Sequence, residues 1–282
     1  MLTRNRGGHA PLRYGLPAMS ATDFDPRSYW DRRLKRNFNL HGVGFSTLSR
    51  SYNRWLYRVR RVVFHRLLRK LDVNLATAKV LDVGPGIGFY VNLWQRNGVS
   101  DITGVDIADS AVARLRKRYP TARFEQADIS DDVSHLGADY DIVDAFDILF
   151  HIVDDDRYEA AMKNIYRMLK PGGWFVFSDN FVHSETVRTR NHVSRSIDDI
   201  SDAVRKAGFQ ILERRPMFVL MNWPVDRRGA LQQVLWRKIV PALKHERGGN
   251  VLGAAMTPFE LVLTKVRKES PTTEIMICRK PA

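Results

Sequence analysis

The chain has 282 residues, enough for one large α/β domain with additions, and its 44% hydrophobic and 27% charged residues indicate a globular protein. Its single cysteine, Cys278, excludes an internal disulfide, and no apolar run approaches the roughly 20 residues that cross a bilayer. We therefore expect a cytoplasmic protein, with peripheral membrane association through its basic helices left open. The formal charge of +14 is concentrated at the ends, because residues 1–70 hold 16 Lys and Arg against three acids and residues 221–282 hold 11 against five.

The N-terminal part of the chain divides into two segments. Residues 1–25 show no hydrophobic periodicity and are predicted to be a disordered extension, within which Met19 is an alternative start to Met1. Residues 26–76 are predicted to form a basic helical cap, with a helix from Pro26 and a longer one over Ser51–Leu71. The apolar stripe of the longer helix favours docking on the domain with solvated arginines over a peripheral membrane helix.

A glycine-rich turn follows the first predicted strand, Val80–Val83. Gly84, Gly86 and Gly88 are spaced two apart and lead into a helical pattern that ends at Arg96. Glycines allow positive φ and a close approach of a ligand to the free amides at the start of a helix, so a nucleotide-like ligand is expected. Phe89 stands where a dinucleotide fingerprint needs its third glycine, and no P-loop Gly-Lys-Ser/Thr follows Gly84.

These residues resemble the class I S-adenosylmethionine-dependent methyltransferases. Asp82 with the three glycines matches that family's first motif, and the resemblance, which covers about residues 78–220, implies S-adenosylmethionine as the cofactor. It also implies that Asp106 hydrogen-bonds the ribose and that the turn at Asp128 holds the adenine amine. The implied cofactor-binding residues are Asp82, Gly84, Gly86, Gly88, Asp106, Ile107, Asp128, Ile129 and Phe146.

The segment 77–282 is predicted to be the methyltransferase domain. Strands and helices alternate, which predicts an α/β fold with a doubly wound, seven-stranded, mostly parallel sheet, Rossmann-like, with N-terminal helices and a helical insertion before the last strand. The sixth strand, Phe209–Leu212 continuing through Met217–Met221, is expected to run parallel to its neighbours, and Glu274–Cys278 is the seventh. The insertion, at about 222–270, is predicted to hold helices at Leu231–Val240, stopped by Pro241, and at Pro258–Val266.

The insertion should leave from the ligand-binding side of the sheet. It is therefore predicted to form a lid over the acceptor together with the N-terminal helices, the alternative being extra core at the sheet edge.

Candidate catalytic residues follow the fourth strand. His151 lies where many small-molecule members of this family carry a pocket histidine, and its imidazole titrates near neutrality. Asp147 precedes it by four residues, so the two could act as a pair if the turn is helical, although a structural role for His151 is equally open. His183 and His192 are weaker candidates. Asp179-Asn180 resembles the magnesium-binding pair of catechol-type members, but Asp147 stands one residue late for that pattern, and no metal site is predicted.

The leading functional prediction is methyl transfer to a small-molecule acceptor, most readily O-methylation of a bulky or anionic metabolite or glycolipid. The alternative is an RNA or ribosome methyltransferase, in which the same arginines would bind phosphates. The sequence contains no recognisable RNA-binding module, which counts against this alternative. A non-catalytic cofactor-binding scaffold is the third. Oligomeric state is not predicted.

Overall fold

The computed structural model describes residues 25–226 and 230–282, so nearly all of the predicted disordered extension and both proposed starts lie outside the described residues. Three helices come first. The cap consists of α1 (Pro26–Arg36), α2 (Leu40–Val43) and α3 (Arg50–Leu68). Asp25, Asn39 and Ser49 cap these helices by accepting hydrogen bonds from the amides of their first turns.

A seven-stranded sheet forms the centre of the fold. Its strands are β1 (Lys79–Val83), β2 (Asp101–Asp106), β3 (Arg123–Gln126), β4 (Tyr140–Ala145), β5 (Leu169–Asp179), β8 (Gln210–Pro216) and β9 (Glu274–Arg279). They lie in the order β3-β2-β1-β4-β5-β9-β8. The first five are parallel, whereas β9 is antiparallel to both β5 and β8. This confirms the predicted fold class.

Helices cover both faces of the sheet, and a hairpin follows β5. The helices are α4 (Phe89–Arg96), α5 (Asp109–Arg118), α6 (Asp155–Met168) and α7 (Ile197–Lys206), and the hairpin is β6 (Val187–Thr189) with β7 (His192–Ser194). One core lies between the sheet, α3 and α4, and the other lies between the sheet, α6 and α7. The carboxyl ends of β1, β2, β4 and β5 meet at one edge, which is where ligands bind in such sheets.

The sixth sheet strand differs from the prediction. It ends at Pro216, and Met217–Met221 are not part of it. Its hydrogen-bonded neighbour β9 is antiparallel, although β8 itself points the same way as the five parallel strands. The residues after Pro216 leave the sheet because their apolar side chains fill the space beneath α3, where Met217, Phe218 and Met221 are fully buried.

The insertion forms two helices that are longer than predicted. They are α8 (Ala230–Leu243) and α9 (Glu246–Val266), and Pro241 and Pro258 lie inside them, so the predicted stop and start at the prolines are wrong. An interior proline costs about 3 kcal/mol. Burial offsets it, because Trp236 and Leu243 on α8 and Gly249, Gly253 and Thr264 on α9 pack inward.

The helix α9 runs parallel to α3 and in contact with it. A Cβ at Gly249 would meet the hydroxyls of Ser49 and Ser51, and one at Gly253 would meet the ring of Trp55. Arg66 donates to the Leu261 carbonyl at 3.0 Å farther along both helices. The small residues therefore allow close packing, which makes the insertion an outer layer on the cap.

Candidate functional site

The glycine turn after β1 has the backbone conformation that the motif requires. Gly84, Gly86 and Gly88 have φ values of 73°, 55° and 80°, which L side chains rarely adopt. A Cβ at Gly88 would also stand 2.5 Å from the Tyr119 ring, whose hydroxyl donates to the Gly88 carbonyl at 2.9 Å. The turn is therefore fixed from behind by α5, while α4 begins with the free amides that suit an anionic or polar ligand.

Asp106 ties the end of β2 to this turn. Its carboxylate accepts hydrogen bonds from the amide of Gly86 at 3.1 Å and from the amide of Ala108 at 2.9 Å. Burial raises the pKa of Asp106 to about 6, partly opposed by these backbone hydrogen bonds. Near neutral pH the group is mostly ionised, so it can accept a hydrogen bond from a ligand hydroxyl.

Asp82 lies below the turn and pairs with Asp144. The two residues are register partners on β1 and β4, and they are 1% and 0% exposed. Burial raises the pKa of Asp82 to about 7 and that of Asp144 well above its usual value, where the charge of Asp82 adds to the effect. Asp144 accepts the Trp94 indole N–H at 2.6 Å, but Asp82 Oδ2 and Asp144 Oδ1 receive no hydrogen from any described group. One proton held between the two carboxyls satisfies both.

The remaining predicted cofactor residues lie around the same edge of the sheet. Asp128 accepts from the Ser130 amide and from Arg157, each at 2.9 Å, and Ile129 beside it is buried. Phe146 stacks on Tyr90 with ring centroids 4.1 Å apart. The Ile107 carbonyl accepts from the side chain of Gln126 at 3.2 Å.

The first two helices lie over the glycine turn. Asp31 on α1 accepts from the Ser110 amide at 2.9 Å, at the start of α5. Val43 in α2 stands 3.1 Å from the position of a Cβ on Gly86, and Ile87 packs with the buried Leu34. The N-terminal helices thus form a roof over the predicted cofactor site.

His151 lies under this roof with a defined tautomer. Its Nδ1 is 3.0 Å from the carbonyl oxygen of Asn191, which can only accept, so Nδ1 carries the proton and Nε2 has a free lone pair. Trp30 of α1 packs edge-on against the imidazole at 4.9 Å. Burial lowers the pKa of His151 to about 4, and the charge of Arg33 lowers it further, against the raising effects of the Asn191 hydrogen bond and of Asp147. The ring is therefore neutral at physiological pH.

Asp147 pairs with Arg60 of α3. Both Nε and Nη2 of Arg60 donate to Asp147 Oδ2, at 3.0 and 2.6 Å, and the Ser178 hydroxyl donates to Oδ1 at 3.0 Å. Asp147 has φ 58°, a left-handed conformation that is uncommon outside glycine. The structure shows no direct hydrogen bond between Asp147 and His151, although the two groups are close enough for the charge to act on the ring.

A second histidine lies beside the first. His192 stacks on Phe150 at 4.5 Å, and its ring centroid is 5.7 Å from that of His151. The Asn180 amide donates to His192 Nε2 at 2.8 Å, and the Ser194 hydroxyl is 3.0 Å from the same atom. His192 therefore carries its proton on Nδ1.

Asp179 and Asn180 are the pair that resembles the magnesium-binding residues of catechol-type methyltransferases. Asp179 is fully buried and accepts from the Asn180 amide at 2.7 Å, and burial raises the pKa of Asp179 to about 7. Among residues 25–226 and 230–282, no cluster of three or more His, Cys, Asp or Glu could hold a metal ion. Asn180 and Asp147 are instead occupied by His192 and Arg60.

Residues 52–214 match the family model of the methyltransferase domain, which is more than half of the chain. The chain belongs to this family. The family assignment confirms the class of enzyme and the S-adenosylmethionine cofactor that the sequence predicts. The positive-φ glycines and the carboxylate of Asp106 fit that cofactor.

One curated relative of the methyltransferase is an O-methyltransferase. The ubiquinone biosynthesis O-methyltransferase of Pseudomonas savastanoi pv. phaseolicola is 33% identical over 110 residues, which cover 38% of this chain and 46% of the relative. The match thus spans about half the length of the curated relative.

Solved structures extend the comparison to the fold. Phosphoethanolamine N-methyltransferase 2 of Haemonchus contortus, in complex with S-adenosyl-L-methionine, aligns with a TM-score of 0.54 and 17% identity, over 90% of this chain and 60% of that one. The [4+2]-cyclase SpnF aligns with a TM-score of 0.51 and 19% identity, over 79% and 81% of the two chains. At such identities these likenesses concern the fold, which does not fix the reaction.

Sequence reasoning missed two residues that contact the candidate catalytic residues, Arg60 and Trp30. Arg60 lies on the inward side of α3, among residues that the periodicity assigns to the core, and it is 8% exposed. An arginine within an apolar stripe was the available signal, since a buried charge needs a partner. Nothing local to Trp30 indicates that it would meet a histidine 121 residues later.

Proposed function

We propose that this methyltransferase transfers a methyl group to an oxygen of a bulky or anionic small molecule bound under α1, at the carboxyl ends of β4 and β5. The observation that carries the proposal is the lone pair that remains on Nε2 of His151, because Nδ1 donates to the Asn191 carbonyl. A hydroxyl of the acceptor can donate to that lone pair. The curated O-methyltransferase relative supports oxygen as the methylated atom.

The cofactor half of the site is assigned to the predicted residues. The glycine turn, Asp106, Ile107, Asp128, Ile129 and Phe146 would hold S-adenosylmethionine, which supplies an activated methyl group when bound. The protein then has to orient the acceptor, exclude water and remove one proton. We assign Asp82 to fixing the turn from below, since it is 1% exposed.

We assign His151 the role of base and Asp147 an electrostatic role. The depressed pKa of His151 keeps the imidazole unprotonated throughout the neutral range, so it is always ready to accept a proton. A weak base of this kind suits an acidic hydroxyl, such as a phenol, better than an aliphatic alcohol. The charge of Asp147 favours the imidazolium that forms, while Arg60 and Ser178 hold that carboxylate in place.

The positive charge of both chain ends supports an anionic acceptor. We also propose that α3 and the insertion form the lid that covers the bound acceptor. Arg60 from the cap already reaches the carboxyl end of β4. A cytoplasmic location remains a proposal that the buried free thiol of Cys278 supports. Within residues 25–226 and 230–282, none of the helices is long and apolar enough to cross a membrane.

Transfer of a tritiated methyl group tests the proposal. The full-length protein is assayed against catechol, phosphoethanolamine and a fractionated cell extract, with and without a chelator. We expect incorporation into a phenolic or extract-derived acceptor, insensitive to chelation. His151→Ala should lower kcat by about 10²–10⁴-fold with little change in cofactor affinity. The matched control is His135→Ala, because His135 is exposed in the short turn Ser134–Leu136, outside the candidate site. Full activity of His151→Ala would refute the assigned base.

A further inference from the structure

The exposed apolar side chains of this protein are concentrated on the insertion. Among the described residues, nine large hydrophobic side chains are exposed, and seven of them belong to α8 and α9. We call these seven the insertion face: Leu231, Val234, Leu235, Val251, Phe259, Val262 and Val266. The most exposed are Leu231 at 77% and Phe259 at 67%. Exposed apolar patches on a protein surface mark interaction sites.

On α9 these side chains form a continuous stripe. Val251, Phe259, Val262 and Val266 repeat at spacings of eight, three and four residues, and Ala255, also exposed, fills the gap after Val251. That spacing places them along one side of a 21-residue helix. The opposite side, with Gly249, Gly253, Glu260 and Thr264, is buried against α3 and residues 219–220. The stripe therefore faces away from the rest of the protein.

The charge around the stripe has one sign. Residues 231–268 contain seven Lys and Arg and only two acids. Both acids are already used, since Glu246 accepts the amides of Arg50 and Ser51, and the buried Glu260 accepts those of Val219 and Leu220. The seven cations Arg237, Lys238, Lys244, Arg247, Lys265, Arg267 and Lys268 are all exposed.

The neighbouring helix adds further cations. Arg50, Arg54, Arg58 and Arg61 are exposed on α3 at helical spacing. Arg58 stacks over the Trp55 ring at 4.0 Å, and the Trp55 indole donates to Asn250 of α9 at 3.0 Å. This contact places the arginine row of α3 along the border of the insertion face.

We propose that the insertion face is a docking surface for an anionic lipid bilayer, with the apolar stripe at the level of the headgroups and the cations on lipid phosphates. An interfacial helix combines these two properties. A second copy of this chain would bring two cationic surfaces together, and a nucleic acid would leave the aliphatic stripe without a partner. The inference goes beyond the proposed function, because it holds whichever acceptor atom is methylated.

The insertion face lies close to the edge of the sheet that carries the proposed acceptor site. The chain leaves β8 at the carboxyl edge of the sheet, and α8 stays close to that exit, because Gln233 donates to the Pro224 carbonyl at 3.0 Å and Trp236 to that of Leu220 at 2.9 Å. A bilayer bound to the insertion would therefore lie on the side of the molecule from which a lipid-soluble acceptor could enter.

Vesicle sedimentation with the full-length protein tests the inference. We expect binding to phosphatidylcholine vesicles that contain phosphatidylglycerol, weak binding to pure phosphatidylcholine, and a loss of binding as salt rises. Phe259→Asp with Val262→Asp should weaken binding about tenfold or more, because two exposed apolar side chains that would enter the bilayer are replaced by charged ones. Val187→Asp on β6 is the matched control, an exposed apolar side chain outside the face. Lys265→Glu should also weaken binding, whereas Lys117→Glu on α5 should not.

Calorimetric binding of S-adenosylmethionine shows that each variant is folded, independently of any acceptor. Unchanged vesicle binding by Phe259→Asp with Val262→Asp would overturn the inference. So would a dimer in analytical ultracentrifugation that the same two substitutions dissolve, or binding to RNA that competes with vesicles. Vesicle binding without any methyl transfer would leave the inference standing and remove the proposed function instead.

Discussion

Replacement of Arg60 by methionine should destabilise the protein by about 2–3 kcal/mol. Breaking a fully buried ion pair from one side costs about 3–5 kcal/mol, and exposed pairs contribute at most about 1. The side chains of Arg60 and Asp147 are 10% and 25% exposed, so this pair lies between the two cases. The Ser178 hydroxyl still donates to Asp147 after the change, which reduces the cost further.

Urea denaturation of a double-mutant cycle measures this pair. The partner change is Asp147→Asn, because asparagine tolerates the left-handed backbone at φ 58° that alanine would strain. The double variant should recover a large part of the loss, since no unpaired charge remains. The reasoning is refuted if Arg60→Met costs less than about 1 kcal/mol, or if the two single losses simply add.

Three further predictions concern the site. Asp106→Ala should weaken S-adenosylmethionine binding by about tenfold or more in calorimetry, because both the ribose acceptor and the bond to the Gly86 amide are lost; unchanged affinity would contradict the ribose assignment. Asp144→Asn should flatten the pH dependence of stability. Burial and the charge of Asp82 raise the folded pKa of Asp144, so the contribution of Asp144 to stability is complete in acid and is lost as pH rises above about 4, by at most about 1.4 kcal/mol per pH unit for one proton, and the substitution removes this contribution; an unchanged slope in urea titrations at several pH values would exclude a shared proton. His192→Phe should keep the stack on Phe150 but raise KM more than it lowers kcat, if His192 only orients the acceptor; a kcat loss equal to that of His151→Ala would assign it a proton-transfer role.

The glycine turn and the sheet that carries it were predictable because their signals are local. The three glycines, Asp106 and the alternation of strand and helix each depend on neighbours within a few residues, and the sheet order follows from right-handed connections. The direction of β8 was also predicted correctly, but its antiparallel neighbour was not, since β9 comes 58 residues after the end of β8 and inserts between β5 and β8.

The proposed acceptor side of the site depends on distant contacts that sequence patterns do not encode. Arg60 meets Asp147 across 87 residues of chain, and Trp30 meets His151 only after α1 docks on α5. The helices of the insertion cross Pro241 and Pro258 because packing on α3 outweighs the local preference of proline. In each case tertiary contacts decide what the local sequence leaves open.

The roof formed by α1 and α2 has a kinetic consequence. Val43 rests on the glycine turn and Trp30 on the imidazole, so we predict that S-adenosylmethionine reaches the proposed cofactor site only when this N-terminal pair moves outward. The connection between Val43 and Arg50 is tied to α3, because the Asn53 side chain accepts from the Phe45 amide and donates to the Phe45 carbonyl. Under the proposed cofactor assignment, the departure of the spent donor and the arrival of the next would share one opening of these helices.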